Sequence, residues 1–446
     1  MKRSGGAIPV VLVFGLALAL RCAYALFLKR HYLFFDAPGD DVVYYQQWAD
    51  QIASGDWLGR DVFFGMPLYP YFLAVLKKLS FGHAGLVRLA HLVLGSVNAV
   101  LVFFVARRIF PARVAYLAAI LTATNFILVY YDWLMLPVTL IVFLSLAIAS
   151  TLLRLDADSG PGRWFALGLL FGMALLADGK FAIVLALTLL HLVVRHRRIL
   201  PRLAKAVLVP AAAGLLLVLS LVAARNRVVG GDWVLLSAHS GINFFIGNNP
   251  EANGVFVNPS FLRPNHYGHE EDPKVVAEQA LGRELTPSAV SRYWFRRGLD
   301  FVGGSPREYL LLLGRKCALF FTDSDVAHDV DLLLQAPWRR ALDVNSYRVI
   351  VPLALVGAAA ALRGTGGTFV PGAFVASQLL FTLAFFLITR HRATVLPFLI
   401  VFEAFGAAWV AGKARSRDYR GALAGALAFV VLYVALQPTS VPPGEI

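Results

Sequence analysis

Long apolar runs recur from one end of this chain to the other, and they constrain its fold more than any other feature. The first run, Ala7 to Leu28, is long enough to cross a bilayer at about 1.5 Å of rise per residue, and no A-x-A-like cleavage site follows it. Of the 446 residues, 58% are hydrophobic and only 15% are charged, too few charges to cover a soluble protein of this length. The sequence therefore predicts an all-α polytopic membrane protein.

The apolar runs predict about eleven membrane-spanning helices. Alternate loops between them are rich in arginine and lysine, and such loops are retained in the cytoplasm. This alternation predicts a cytoplasmic N-terminus, an outer C-terminus and, in a bacterium, localisation in the inner (plasma) membrane. The predicted spans are residues 7–28, 84–106, 112–130, 134–153, 164–177, 181–195, 205–224, 345–362, 368–388, 393–412 and 420–437.

Two long segments should then face outward and divide the chain into three parts. We predict an N-terminal transmembrane module (1–224) that contains the first outer loop (29–83), a second outer loop that folds as a cap (225–344), and a C-terminal transmembrane module (345–446). In the first outer loop, Val42 to Ala53 has helical propensity, and Leu68 to Phe81 is expected to lie along the membrane surface. In the second, Glu308 to Phe321 is predicted to dip into the interface.

Neither the net charge of +14 nor the two cysteines indicates a nucleic-acid-binding protein or a disulfide-stabilised one. The basic residues lie mostly in short loops between apolar runs, and no RNA-binding or helix-turn-helix pattern surrounds them, so no nucleic-acid partner is expected. Cys22 and Cys317 lie in apolar surroundings, which favours buried thiols over a disulfide.

The most informative motif follows the first apolar run. Residues 39–49 read GDDVVYYQQWA, and residues 67–71 read PLYPY. An acidic residue followed by tyrosine and alanine four and eight positions later resembles the first outer loop of GT-C glycosyltransferases. The PLYP element is similar to bacterial members of glycosyltransferase family 39, which are relatives of protein O-mannosyltransferases and of lipid A aminoarabinose transferases. Aligned on Tyr45 and Ala49, the acidic residue of that family falls on Asp41, or on Asp40 if the alignment shifts by one position.

The resemblance continues along the chain in the same order. Residues 129–132 (VYYD), at the outer end of the third span, are similar to the acidic position in the second outer loop of the family. Residues 225–226 (RN) with 231–233 (GDW), and then 241–250 (GINFFIGNNP), resemble a later loop of the bacterial subgroup. Residues 390–392 (RHR) followed by Leu396-Pro397 resemble its late arginine and proline feature. The resemblance implies a GT-C fold with an active site between the two outer loops.

The chemistry that this resemblance implies is sugar transfer on the outer face of the membrane. Nucleotide sugars stay in the cytoplasm, so the donor would be a polyprenyl-phosphate sugar dissolved in the bilayer. A carboxylate would take the proton of the acceptor hydroxyl as general base, and arginine or lysine would stabilise the leaving phosphate. A single displacement inverts the anomeric centre. The acceptor is a lipid, a glycan or a protein.

Three acidic residues are the catalytic candidates. Asp41, with Asp40 beside it, is the proposed base, although either carboxylate could instead cap the helix that begins near Val42. Asp132 lies at the membrane edge, where it would help to place the acceptor or bind an optional metal ion, or would simply be solvated by the outer loop.

The remaining candidates are cations for the lipid phosphate and one aromatic residue. Arg390 and Arg392 could contact the phosphate or reach to the interface as snorkelling side chains. Lys180 lies in a tight turn at 177–180 and is a secondary candidate for the phosphate. Arg225 could contact the phosphate or anchor the end of its helix. Tyr45 could stack on sugar or belong to the aromatic belt of the membrane.

The predicted function is therefore that of a cell-envelope glycosyltransferase, with two rivals. A secondary transporter usually shows repeated halves and helices broken near the membrane centre, and neither is clear in this sequence. Another lipid-linked enzyme of surface glycans, such as a ligase or polymerase, is the second rival. The sequence specifies no cofactor. The resemblance leaves room for a divalent cation, Mg or Mn, and beyond the optional role of Asp132 no residue is assigned to bind one.

Overall fold

The structure, a computed structural model, describes residues 7–31, 39–156, 159–195, 204–323, 345–362 and 367–436. Within these ranges the secondary structure is helical, apart from one isolated parallel bridge between Val255 and Leu387. The helices are α1 (Ala7–His31), α2 (Asp40–Ala53), α3 (Leu68–Leu79), α4 (Ala84–Ile109), α5 (Ala112–Thr124), α6 (Phe126–Trp133), α7 (Val138–Leu152), α8 (Pro161–Leu175), α9 (Phe181–Arg195), α10 (Val209–Gly230), α11 (Ser240–Gly247), α12 (His266–Leu281), α13 (Pro287–Gly304), α14 (Pro306–Phe321), α15 (Tyr347–Ala361), α16 (Phe369–Ala384), α17 (Thr389–Ala393), α18 (Leu396–Arg415) and α19 (Tyr419–Ala435).

Among the residues that the structure describes, four helices are long and apolar enough to cross a membrane, and the bent pair α5 and α6 makes a fifth if it counts as one span. The four are Val10–Arg30, Ala84–Ile109, Lys205–Gly230 and Leu396–Arg415. Six shorter apolar helices of 10–17 residues, among them α7, α8 and α9, accompany them. Every predicted span overlaps one of these helices, which confirms an all-helical, multi-pass integral membrane protein. The count of eleven is not confirmed.

The bend between α5 and α6 lies inside the predicted span 112–130. The two helices meet at 52°, because Asn125 adopts an extended conformation between them. Its side chain accepts a hydrogen bond from the backbone N–H of Leu128 at 3.1 Å and so starts a new helix. Asn125, a polar capping residue, therefore divides into two helices an apolar run that predicts a single helix.

Small residues let the long helices approach closely. Where α8 crosses α10, a Cβ added at Gly168 would lie 2.0 Å from the carbonyl oxygen of Ala211, and one at Gly214 would lie 2.2 Å from that of Phe165. The pair α15 and α18 repeats this arrangement, with a Cβ at Gly357 only 2.0 Å from the carbonyl oxygen of Phe402. Close packing of this kind stabilises helix pairs in lipid, where the hydrophobic effect does not drive their association.

The two segments that are predicted to face outward contain most of the helices around the candidate site. The predicted helix at 42–53 is α2, the predicted surface helix at 68–81 is α3, and the predicted interfacial helix at 308–321 is α14, each within two residues of its predicted bounds. The two loops are joined by backbone hydrogen bonds from Ala238 to Phe63 at 2.9 Å and from His239 to Phe64 at 3.3 Å. A further hydrogen bond, from the backbone N–H of His266 to Asp40, joins α12 to α2.

Candidate active site

The structure brings Asp41 of α2 together with Arg390 of α17, two residues from opposite ends of the chain. Their side chains form an ion pair through Asp41 Oδ2 and Arg390 Nη1, and they are only 19% and 22% exposed. α2 begins at Asp40 after Gly39, so both aspartates lie in its first turn, where negative charge is favoured by the helix dipole. The predicted base and one predicted phosphate ligand therefore share one site.

Tyr45 completes this pair on the side of α2. Burial raises the pKa of the Tyr45 hydroxyl, the Asp41 carboxylate raises it further, and Arg390 opposes the shift. Burial alone would lower the pKa of Arg390, but Asp41 and Tyr45 together hold it above its ordinary value. The site thus contains a permanent cation, its carboxylate partner and a neutral hydroxyl group.

Asp40 points to a different partner. Its exposed carboxylate accepts a hydrogen bond at 2.6 Å from the backbone N–H of His266, the first residue of α12. Neither aspartate caps α2, whose capping residue is Gly39 and has no side chain. Asp40 instead stabilises the N-terminus of α12, and Asp41 is the carboxylate that faces the cation.

Lys180 lies against the turn that follows α17. Its buried ammonium pairs with Asp178 at 3.0 Å and donates a hydrogen bond to the Thr394 hydroxyl. Burial lowers the pKa of Lys180, and Asp178 opposes the shift. Asp178 also acts electrostatically on Tyr45, so this turn borders the site. Lys180 therefore lies near the site, but the carboxylate of Asp178 neutralises its charge.

Arg392 and Arg225 are engaged with backbone carbonyls. Arg392 is buried, donates to the carbonyl oxygen of Thr322 at 2.6 Å just after α14, and lies 3.9 Å over the ring of Tyr347. Arg225 donates to the carbonyl oxygen of Asp61 at 2.5 Å and to that of Leu58, and stacks 3.8 Å over Phe63. Arg392 thus holds the segment after α14, and Arg225 holds the segment from Leu58 to Phe63.

Asp132 is neither solvated nor aimed at the outer loops. Its carboxylate, 5% exposed, pairs with Arg21 of α1 at 2.7 Å and accepts a hydrogen bond from the Thr139 hydroxyl at 2.8 Å. A Cβ added at Gly95 would lie 2.0 Å from this carboxylate, so the glycine makes room for it. The expectation of a solvated side chain at the membrane edge is therefore wrong, because Arg21 compensates the charge inside the bundle.

No group of three or more histidine, cysteine, aspartate or glutamate side chains that could hold a metal ion occurs in the described part of the chain. The carboxylates of the site are instead engaged with Arg390 and with the N-terminus of α12. A divalent cation thus has no assembled ligand set here.

Sequence reasoning missed the histidines of the second outer loop and one lysine. Asp41 acts electrostatically on His266 and His269, and His239 is a further neighbour of His266. Lys316 is fully buried in α14, where it donates at 3.1 Å both to Asn248 and to the carbonyl oxygen of Leu383, and burial lowers its pKa to about 7. In the sequence, these residues could have been noticed by their positions alone. His266 and His269 lie at the start of a helix, and Lys316 lies within an apolar run.

Comparison with known proteins agrees with the motifs. Residues 65–224 match the family described as dolichyl-phosphate-mannose-protein mannosyltransferase. Among solved structures, the apo oligosaccharyltransferase of Archaeoglobus fulgidus is 14% identical, with 100% of this chain and 59% of that chain covered and a TM-score of 0.47. ArnT from Cupriavidus metallidurans bound to undecaprenyl phosphate is 16% identical, with 89% of this chain and 79% of that chain covered and a TM-score of 0.40.

This chain spans less than two thirds of the length of the oligosaccharyltransferase that it resembles. No curated protein matches it. The family match covers the end of the first outer loop and the helices from α3 to most of α10, including the VYYD motif. The all-helical architecture confirms the predicted all-α membrane fold, and the family match agrees with the predicted resemblance over the matched residues. The chain is an integral membrane protein in which residues 65–224 are similar to the dolichyl-phosphate-mannose-protein mannosyltransferase family.

Proposed function

We propose that this protein is a membrane glycosyltransferase that transfers a sugar from a polyprenyl-phosphate donor to an acceptor on the periplasmic side, with inversion. The ion pair between Asp41 and Arg390 carries the proposal, because it puts a carboxylate of the first outer loop next to a cation of α17. The family description names a dolichyl-phosphate sugar, a donor of the same chemical class.

The two members of the pair have complementary roles in the displacement. The acceptor oxygen attacks the anomeric carbon as the bond from that carbon to the phosphate oxygen breaks, and the acceptor proton passes to Asp41. Arg390 stabilises the negative charge that develops on the leaving polyprenyl phosphate. Because the arginine is shared, arrival of the lipid phosphate draws it away from Asp41 and makes that carboxylate a stronger base.

The residues around the ion pair can assist the transfer of Arg390 from Asp41 to the lipid phosphate. Tyr45 can donate a hydrogen bond to Asp41 or to the sugar, since its hydroxyl stays neutral. Lys180 is the second candidate cation for the phosphate, and Arg392 and Arg225 are proposed to act mainly by holding the surrounding loops. Basic loops on the opposite side support a cytoplasmic N-terminus in the inner membrane of a bacterium. The acceptor is a lipid, glycan or protein with a hydroxyl group.

The test is transfer by the full chain reconstituted in proteoliposomes. Radiolabelled polyprenyl-phosphate hexoses and pentoses are supplied with hydroxyl acceptors on one side of the bilayer at a time. We expect loss of the sugar from one donor class, release of polyprenyl phosphate, and a product whose anomeric configuration, measured by NMR, is opposite to that of the donor. Uptake of a solute with no consumption of any donor would contradict the proposal and favour a transporter.

A further inference from the structure

His266 of the second outer loop is fixed on the face of α2 that carries Asp41. Its ring stacks on Tyr44, with ring centroids 3.3 Å apart and an interplanar angle of 22°, and Phe64 meets it edge-on at 5.8 Å. Tyr44 lies three residues after Asp41 on α2, so the two side chains project from neighbouring positions on one face. The backbone N–H of His266 is held by Asp40 at 2.6 Å. The imidazole therefore has one orientation, beside the proposed base.

The Nε2 atom of this imidazole is buried and has no hydrogen-bond partner among the residues that the structure describes. Burial lowers the pKa of His266 to about 4, although Asp41 opposes the shift. The ring is thus neutral at physiological pH and has one N–H donor and one acceptor nitrogen. Buried polar atoms in native proteins almost always have a partner, so an unpaired one beside a carboxylate points to a ligand.

The position of His266 indicates which substrate supplies this partner. Arg390 approaches Asp41 from α17, the side proposed for the lipid phosphate, whereas His266 approaches from the second outer loop. We infer that His266 binds, through Nε2, an acceptor hydroxyl adjacent to the one that Asp41 deprotonates, and that the acceptor is a saccharide. This inference rests on the proposed glycosyl transfer.

A saccharide fits this site better than a serine or threonine side chain. Neighbouring hydroxyls on a sugar ring supply one group for Asp41 and a second for Nε2, whereas a hydroxy amino acid supplies only one. The rings of Tyr44 and Phe64 pack against the imidazole, and Trp48 packs against Tyr44. Aromatic rings of this kind can pack against the carbon-bound hydrogens of a sugar. The site therefore combines polar groups for two hydroxyls with aromatic walls.

The experiment compares the wild-type full chain with His266→Phe and His266→Gln in the same proteoliposomes. Phenylalanine keeps the stack on Tyr44 and the backbone N–H that Asp40 binds, but it removes Nε2. Glutamine restores a polar group near the position of Nε2. With a saccharide acceptor we expect His266→Phe to raise the acceptor KM about tenfold, the effect of one hydrogen bond, with kcat changed less and with His266→Gln recovering most of the loss.

Two further substrates make the result specific. A deoxy acceptor that lacks the adjacent hydroxyl should be used equally by wild type and His266→Phe, because the bond is already absent. Binding of polyprenyl phosphate should be the same in all three proteins. An unchanged KM in His266→Phe, or wild-type transfer to serine or threonine peptides but not to saccharides, would overturn the inference. Failure of the wild type to use any donor would instead overturn the proposed function.

Discussion

Replacement of Asp41 by asparagine is expected to reduce the rate of sugar transfer by about 10²–10⁴-fold, the usual contribution of a general base. The amide keeps the size of the side chain but cannot accept the proton of the acceptor hydroxyl. Arg390 loses its carboxylate partner and stays free for the lipid phosphate, so donor binding should be retained. Turnover is measured with the labelled donor in proteoliposomes at saturating concentrations of both substrates.

Asp40→Asn is the matched control for this variant. Asp40 is the adjacent residue on the same helix turn, but it accepts a hydrogen bond from the backbone of His266, and an amide oxygen can still do so. We expect a change in turnover of less than about tenfold, the value of one modest hydrogen bond. If Asp40→Asn abolished transfer and Asp41→Asn did not, the base would be Asp40 and the assignment of the ion pair would be wrong.

Replacement of Arg21 by methionine is expected to destabilise the protein by about 3–5 kcal/mol, because it leaves the buried carboxylate of Asp132 without its partner. The double variant Arg21→Met with Asp132→Leu removes both charges and should recover most of that stability. Thermal unfolding in detergent or nanodiscs measures both effects. The pair lies within the bundle, where water cannot compensate a single charge.

The same double variant tests whether Asp132 takes part in the chemistry. Its carboxylate is engaged by Arg21 and Thr139, so we propose that it stabilises the packing of α1, α6 and α7. The double variant should then transfer sugar at a rate within about tenfold of the wild type at temperatures where it is folded. If the double variant folded but had no activity, Asp132 would instead take part in catalysis.

The helices and the main pair of the site were predictable, because their signals are local or ordered along the chain. Apolar runs predict helices wherever they occur, and the motif after the first run predicted Asp41 as the candidate base. The late RHR feature contributed Arg390, which the structure brings to Asp41 across almost the whole chain. The order of the motifs therefore contained long-range information that no single motif has.

The partners of the other charged residues were not predictable from the sequence. Nothing local pairs Arg21 with Asp132, which lies 111 residues later, and nothing local assigns Arg392 to the carbonyl of Thr322. Such pairs depend on how the helices pack, which hydrophobic periodicity does not specify. His266 was missed for the same reason, since its proposed role depends on its contact with Tyr44, which lies far away in the sequence.

The central claim is that Arg390 is shared between Asp41 and the phosphate of the lipid donor. The most direct measurement is the affinity for polyprenyl phosphate in nanodiscs of the wild type, Arg390→Gln and Asp41→Asn, with Arg227→Gln at the end of α10 as a control arginine. We predict that Arg390→Gln weakens binding about tenfold or more, that Asp41→Asn strengthens it, and that Arg227→Gln leaves it unchanged. Wild-type affinity in Arg390→Gln, or weaker binding in Asp41→Asn, would contradict this account.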